Sequence, residues 1–208
     1  MRPLKKNAID TRQEILSAAE KCFGAKGYAG TSVQDIIAGT SFSKPVIYYH
    51  FGNKEGLFLA LLEQAYNECH SVMERAIKKD AAIREQLVSI NMELFDFLQR
   101  RRELTRLSFI AAFSSEEELP GSEQIQRLRL QIFDLLHNLM KEGCQSGELD
   151  VSMDSRDLAY GIYGAFSFSL MGYLTLPGIE LNQKYAESVV DLFLKGAGSK
   201  KEYKSIKV

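Results

Sequence analysis

Cysteine is scarce in this chain. Cys22, Cys69 and Cys144 are the three present, odd in number, widely scattered and never in CxxC spacing. A disulfide framework is therefore excluded, and a reducing cytoplasm is the natural setting. The opening Met-Arg-Pro-Leu-Lys-Lys has no apolar run behind it, so no export signal is expected. Catalytic signatures are missing as well: there is no nucleotide-binding loop, no HExxH and no Ser-His-Asp arrangement, and the three histidines lie far apart. No enzymatic activity, metal or cofactor is expected. Formal charge is absent from Leu158 to Ile179, a length that can span a bilayer. However, Gly161, Gly164, Gly172, Ser167, Ser169 and Thr175 dilute its hydrophobicity, and Pro177-Gly178 ends it. A buried helix is expected there, and no membrane association. A membrane-tethered helical adaptor is the weakest of the alternative readings.

Alternating strand runs are also lacking, and almost every segment carries a helical period. The fold class is all-α, with about nine helices. The first opens at Thr11, three residues before Glu14 in a capping box, and stops at Gly27. Thr31 or Ser32 caps a short second helix, Thr40-Ser41-Phe42 turns the chain, and Ser43 caps a third with Pro45 in its first turn. A fourth runs from Asn53 to about Lys78 and a fifth begins near Ala82. The Arg100-Arg101-Arg102 run interrupts the pattern before a sixth through Phe113. Ser114–Gly121 reads as an acidic loop. Helices follow from Ser122 to Cys144, Asp154 to Leu176 and Asn182 to Lys195, with a basic tail from Lys200. The domain division is 1–53, 54–198 and a tail over 199–208.

Charge divides along the same line. Residues 1–54 hold eight Lys/Arg against four Asp/Glu, and the remainder 18 against 23, within a net charge of -1. A basic reader joined to an acidic body fits a nucleic-acid partner. The segment Ser43–Phe51 carries the same sign on its surface. Ile47 and Phe51, four apart, form an apolar strip, while Lys44 with Tyr48 and Pro45 with Tyr49 fall on the other side. Outward cations and phenols suit a DNA groove better than a core. Three helices, the last two joined by a tight turn, describe a helix-turn-helix whose third helix enters the major groove.

Residues 11–58 resemble the DNA-binding domain of TetR/AcrR-type bacterial transcriptional regulators. The landmarks are Thr11-Arg12-x-x-Ile15-Leu16-x-Ala18-Ala19, Phe23-x-x-x-Gly27-Tyr28-x-x-Thr31-Ser32, Asp35-Ile36-Ile37, Ser43-Lys44-x-x-Ile47-Tyr48-Tyr49-His50-Phe51 and Asn53-Lys54-Glu55-x-Leu57. Two positions depart from the pattern: Ser41 stands where the family has Gly in the turn, and Pro45 replaces a common Gly. The resemblance implies phosphate contacts from Thr31, Ser32, Tyr49, His50 and Lys54, and base contacts from Lys44, Pro45, Val46 and Tyr48, with Ser43 at the helix start.

For the remaining residues the resemblance implies a helical effector-binding and dimerisation body. Tyr160, Ile162, Gly164, Phe166 and Leu170, with Ala186, Val189, Val190 and Phe193, are the expected dimer interface, a four-helix bundle across a two-fold axis. Tyr66, Phe95, Phe109, Phe113, Phe133, Phe166 and Met171 are the expected apolar lining of an effector pocket, with His70, Asn91 and His137 as polar contacts. The implied function is a homodimeric repressor on a palindromic double-stranded DNA operator, released by a small apolar or amphipathic effector. A thiol-based redox-sensing DNA-binding regulator is the alternative, with Cys144 the most accessible thiol.

Overall fold

The helical periodicity resolves, in the computed structural model, into nine α-helices among the described residues 8–78, 80–114 and 121–198. They are α1 (Ala8–Lys26), α2 (Val33–Ala38), α3 (Lys44–Phe51), α4 (Lys54–Ala76), α5 (Ile83–Arg100), α6 (Arg102–Phe113), α7 (Ser122–Ser146), α8 (Ser155–Thr175) and α9 (Gln183–Gly198). Two expectations at helix starts are corrected. The first helix begins at Ala8, so Thr11 lies inside it rather than at its cap. Ser43 stands at the N-cap of α3 with extended backbone, but its side chain makes no capping bond. The expected interruption at the arginine run falls at Arg101, which separates α5 from α6. The basic tail from Lys200 and most of the acidic loop after Ser114 lie outside the described residues.

The chain divides into two compact units, each built from separate stretches of sequence. One takes residues up to Glu68 together with Arg100–Arg129; the other takes Cys69–Gln99 and the chain from Leu130 onward. In the first unit, the apolar strips of α1 (Ile15, Leu16, Ala19, Phe23), α2 (Ile36) and α3 (Ile47) close on Leu57, Phe58, Leu61 and Leu62 of α4. Leu104, Leu107 and Ala111 of α6 complete that core. Burial of each large side chain contributes about 1.5–3 kcal/mol, which is what fixes α3 on its support.

At Gly24 α1 and α6 pack closely. A Cβ placed there would lie 2.8 Å from the Cβ of Glu103, so only glycine fits without movement. Arg106 donates to the Gly24 carbonyl and pairs with Glu103 at 3.0 Å. Arg101 holds two carboxylates, Glu20 of α1 at 3.0 Å and Glu68 of α4 at 3.2 Å.

In the second unit, α5 is buried over most of its surface, through Ile83, Leu87, Ile90, Leu94, Phe95, Phe97 and Leu98. Its N-terminus is capped from far away in sequence: Glu148 Oε2 accepts from the Ile83 N–H at 2.8 Å. Arg84 pins it to α9 through paired bonds to Asp191 at 2.6 and 3.1 Å. Each partner moves the other, Asp191 downward and Arg84 upward from their ordinary values, chiefly through that hydrogen bond.

Candidate nucleic-acid interface

The geometry of α3 follows from a few residues at its ends. Pro45 sits in the first turn, where a missing N–H leaves no bond unmade. Gly52, at φ +76°, lets the chain reverse after Phe51 while its N–H still bonds the Tyr48 carbonyl at 2.8 Å. Asn53 then starts α4, its Oδ1 accepting from the Gly56 N–H at 2.7 Å. Before α3, Thr40 ties the turn: its hydroxyl donates to the Ile37 carbonyl at 3.1 Å and accepts from the Phe42 N–H at 3.3 Å.

Held this way, α3 buries Ile47 completely and half-buries Val46, His50 and Phe51. Its free face presents Lys44, Pro45, Tyr48 and Tyr49, with Tyr49 86% exposed and Tyr48 40%. Exposed phenols this large are unusual on a protein surface, and they stand next to a cation, since Lys44 Nζ lies 5.4 Å from the Tyr48 ring. Arg12, on α1, brings a second cation to the far end of the helix, 5.3 Å over the Phe51 ring. In the sequence it is marked only by its place in the Thr11-Arg12 landmark, and the structure shows it exposed.

Three expected phosphate contacts are altered by their surroundings. Thr31 is buried, and its hydroxyl points inward between the Gly27 and Cys22 carbonyls, 2.7 and 3.1 Å away. Its backbone N–H bonds Tyr28, so Thr31 secures the α1–α2 loop instead. Ser32 is exposed, but it forms a full capping box: its Oγ accepts from the Asp35 N–H and its own N–H donates to the Asp35 carboxylate at 2.8 Å. Hydrogen bonds from Lys26 and Ser32 hold the Asp35 carboxyl far below the ordinary carboxylate range. Lys54 is half-buried, donating to the Tyr28 and Thr31 carbonyls at 3.0 Å each. These bonds use two of its three N–H groups.

In the second unit, the expected dimer residues separate by face. Ile162, Phe166 and Leu170 are buried, as are Ala186 and Val190 of α9, so they close the protomer's own core. Phe193 lies against Gly161, 3.2 Å from where a Cβ there would be. Tyr160 is exposed and Gly164 half-buried, on the other side of α8. They share a stripe with Phe168, 71% exposed, and Leu192 on α9 is 76% exposed; sequence reasoning missed both. A Cβ on Gly164 would meet nothing within 4 Å.

The expected pocket residues also divide. Tyr66, Phe109 and Phe113 belong to the first unit, and Phe113 is exposed beneath the Arg129 guanidinium, so it lines no interior. In the second unit Asn91, Phe95, Phe133 and Phe166 are buried, and His70, His137 and Met171 half-buried. Phe133 gathers Tyr160 at 4.5 Å and His137 at 6.0 Å, and Phe95 stacks on Tyr185. His137 Nε2 lies 3.3 Å from Ser155 Oγ. Asn91 stands apart: neither amide atom has a hydrogen-bond partner among the described residues, and each such unmade bond costs about 1–3 kcal/mol.

Two of the three thiols are disfavoured as thiolates. Burial pushes Cys69 up to about 12, and burial with the nearby Asp150 and Asp154 raises Cys144. Both shifts oppose the thiolate, which is the reactive form. Among the described residues no group of His, Cys, Asp and Glu is arranged to hold a metal ion, and no helix is long and apolar enough to cross a membrane.

Residues 15–61, which contain α2, α3 and most of α1, match the model of bacterial regulatory proteins of the tetR family. The probable HTH-type transcriptional regulator ArpR of Pseudomonas putida is 31% identical over 160 residues, 73% of this chain and 76% of that protein. The fatty acid metabolism regulator protein of Bacillus subtilis (strain 168) is 24% identical over 192 residues, 90% and 95% of the two chains. The crystal structure of the Bacillus subtilis transcriptional regulator FadR in complex with stearoyl-CoA superposes with a TM-score of 0.78 at 23% identity, covering 88% of this chain and 98% of that one.

Proposed function

From the premise that the chain belongs to the tetR family of bacterial regulatory proteins and is a DNA-binding transcriptional regulator, we propose how its residues divide that work. Residues 1–53 read the operator and residues 54–198 bind effector and pair the protomers. Lys44, Pro45, Val46 and Tyr48 meet base edges in the major groove, while Ser43, Tyr49, His50 and the remaining N–H of Lys54 seat the helix on phosphates. The observation that carries this assignment is the outward row of Lys44, Pro45, Tyr48 and Tyr49 over a fully buried Ile47. Arg12 adds a phosphate contact at the end of α3.

The protein acts as a homodimeric repressor in the cytoplasm, without catalysis of its own. Tyr160, Gly164 and Phe168 of α8 and Leu192 of α9 supply the dimer face, an outward apolar stripe with a gap at Gly164 for close approach. Two recognition helices about 34–36 Å apart then read half-sites one helical turn apart. The effector is a long-chain acyl compound. This reading draws on the relative named for fatty acid metabolism and on the stearoyl-CoA complex of the similar structure. The buried aromatic side chains of Phe95, Phe133 and Phe166 are apolar lining of the kind that suits such a chain. The effector must favour one of two arrangements of the dimer, since equal affinity for both shifts nothing.

Fluorescence anisotropy with an operator recovered from a random pool tests the reading. Saturating palmitoyl-CoA is expected to weaken operator binding at least tenfold, and an unchanged affinity would remove the acyl effector from the account.

A further inference from the structure

Asn91 is the buried group that this functional reading leaves unexplained. It lies in the middle of α5, fully enclosed, with Leu87 and Phe95 one turn to either side also fully buried. Both Oδ1 and Nδ2 are without a hydrogen-bond partner among the described residues. A carboxamide offers two donors and an acceptor, and an interior position that satisfies none of them is a poor place for one. On the same helix Gln86 keeps one bond, Nε2 to the Ala81 carbonyl at 2.8 Å, and leaves its Oε1 unpaired. A leucine at position 91 would have the same branching and number of heavy atoms, in a somewhat larger side chain, and would avoid the desolvated amide. Both ends of the amide therefore point to a ligand.

We propose that Asn91 recognises a group on the effector that both donates and accepts a hydrogen bond: a hydroxyl on the acyl chain or an undissociated carboxyl. The inference rests on the reading that this unit binds a long-chain acyl effector, and it narrows that class, at the acyl portion itself, to oxygenated or free-acid members. A bare hydrocarbon segment answers neither amide atom. An ester or thioester carbonyl answers only Nδ2 and leaves Oδ1 unpaired. A hydroxyl or a neutral carboxyl answers both, and a site built around such a group discriminates strongly against the analogue that lacks it.

Isothermal titration of the full-length protein and of Asn91→Leu provides the test. The probes are palmitic acid, palmitoyl-CoA, and hydroxypalmitic acids and their CoA thioesters with the hydroxyl near the carboxyl end, at mid-chain and near the methyl end. If a hydroxyl is recognised, one hydroxylated chain binds the wild type about tenfold or more tighter than its plain parent. If the carboxyl is recognised, palmitic acid binds tighter than palmitoyl-CoA, and the advantage fades as pH rises through the carboxyl pKa. In either case Asn91→Leu erases the preference and leaves the plain chain bound equally well or better. Equal preference in the two proteins overturns the role of Asn91 while the acyl effector stands. No binding of any chain overturns the acyl reading and this inference together. The thermal melt of ligand-free Asn91→Leu is an independent arm: it is expected at or above the wild-type temperature. A lower melt would mean that the amide serves the fold, which contradicts the proposal.

Discussion

Lys54 reaches back 26 residues to Tyr28, donating to its carbonyl at 3.0 Å while its ammonium stands 4.2 Å from the centre of the Tyr28 ring. With the second bond to Thr31, this lysine closes the α1–α2 loop onto the start of α4. The recognition helix ends at Phe51, just before that closure, so the seat of α3 depends on it. Lys54→Met keeps the aliphatic stem and removes the bonds. It is expected to lower unfolding free energy by about 1.5–3 kcal/mol, and to weaken operator binding on every sequence alike. Denaturant unfolding and anisotropy on two unrelated operators check the pair of effects; weaker binding without loss of stability would return Lys54 to a purely phosphate-contacting role.

Base reading and backbone seating separate along α3. Lys44→Ala is expected to cost about 1–3 kcal/mol at one position of the site and to relax the preference there. Tyr49→Phe removes only a hydroxyl on an 86% exposed ring, and its loss falls evenly across sequences. Competition binding against single-base operator variants distinguishes them, and an even loss for Lys44→Ala would move that residue to the backbone.

Asp35 gives the reader an acid limit. Its folded pKa lies below that of an unfolded carboxylate, about 3.9, because Lys26 and Ser32 bond its charged form. Its contribution to stability is therefore complete above that unfolded value and is lost as pH falls through the folded one. NMR titration is expected to show the Asp35 carboxylate still ionised where ordinary carboxylates have protonated. Asp35→Asn should flatten the acid side of the stability profile, and an ordinary titration would remove the capping box from the account.

The opposite faces of α8 make a third contrast. Phe168→Glu with Leu192→Glu is expected to give a folded monomer, seen by light scattering with unchanged helical circular dichroism. Phe166→Ala, two residues away but buried, is expected to cost about 3–5 kcal/mol of stability. A double variant that remains dimeric would place the interface elsewhere.

That contrast also shows where sequence stopped being informative. The order of the helices and the burial of Ile15, Leu16, Ile36 and Ile47 follow from a 3.6-residue period against a polar background, and all were legible. In α8 the period cannot choose. The stripes 160/164/168 and 162/166/170 are both apolar and lie on opposite sides of the helix, so only packing decides which one faces the protomer's own core. The inward bonds of Thr31 and Lys54 were not legible for a different reason. Their side chains answer backbone carbonyls brought near by the fold, and nothing local in sequence marks those acceptors. The orphaned amide of Asn91 was legible as a polar residue on an apolar helix; that it lacks a partner is a property of the tertiary structure alone.

Selection from a random double-stranded oligonucleotide pool, followed by affinity measurement across a salt series, tests the central claim most directly. A palindrome whose half-sites lie about one helical turn apart is expected to be enriched and to be bound with a steep fall in affinity as salt rises. No enriched sequence, or an affinity indifferent to salt, would contradict it.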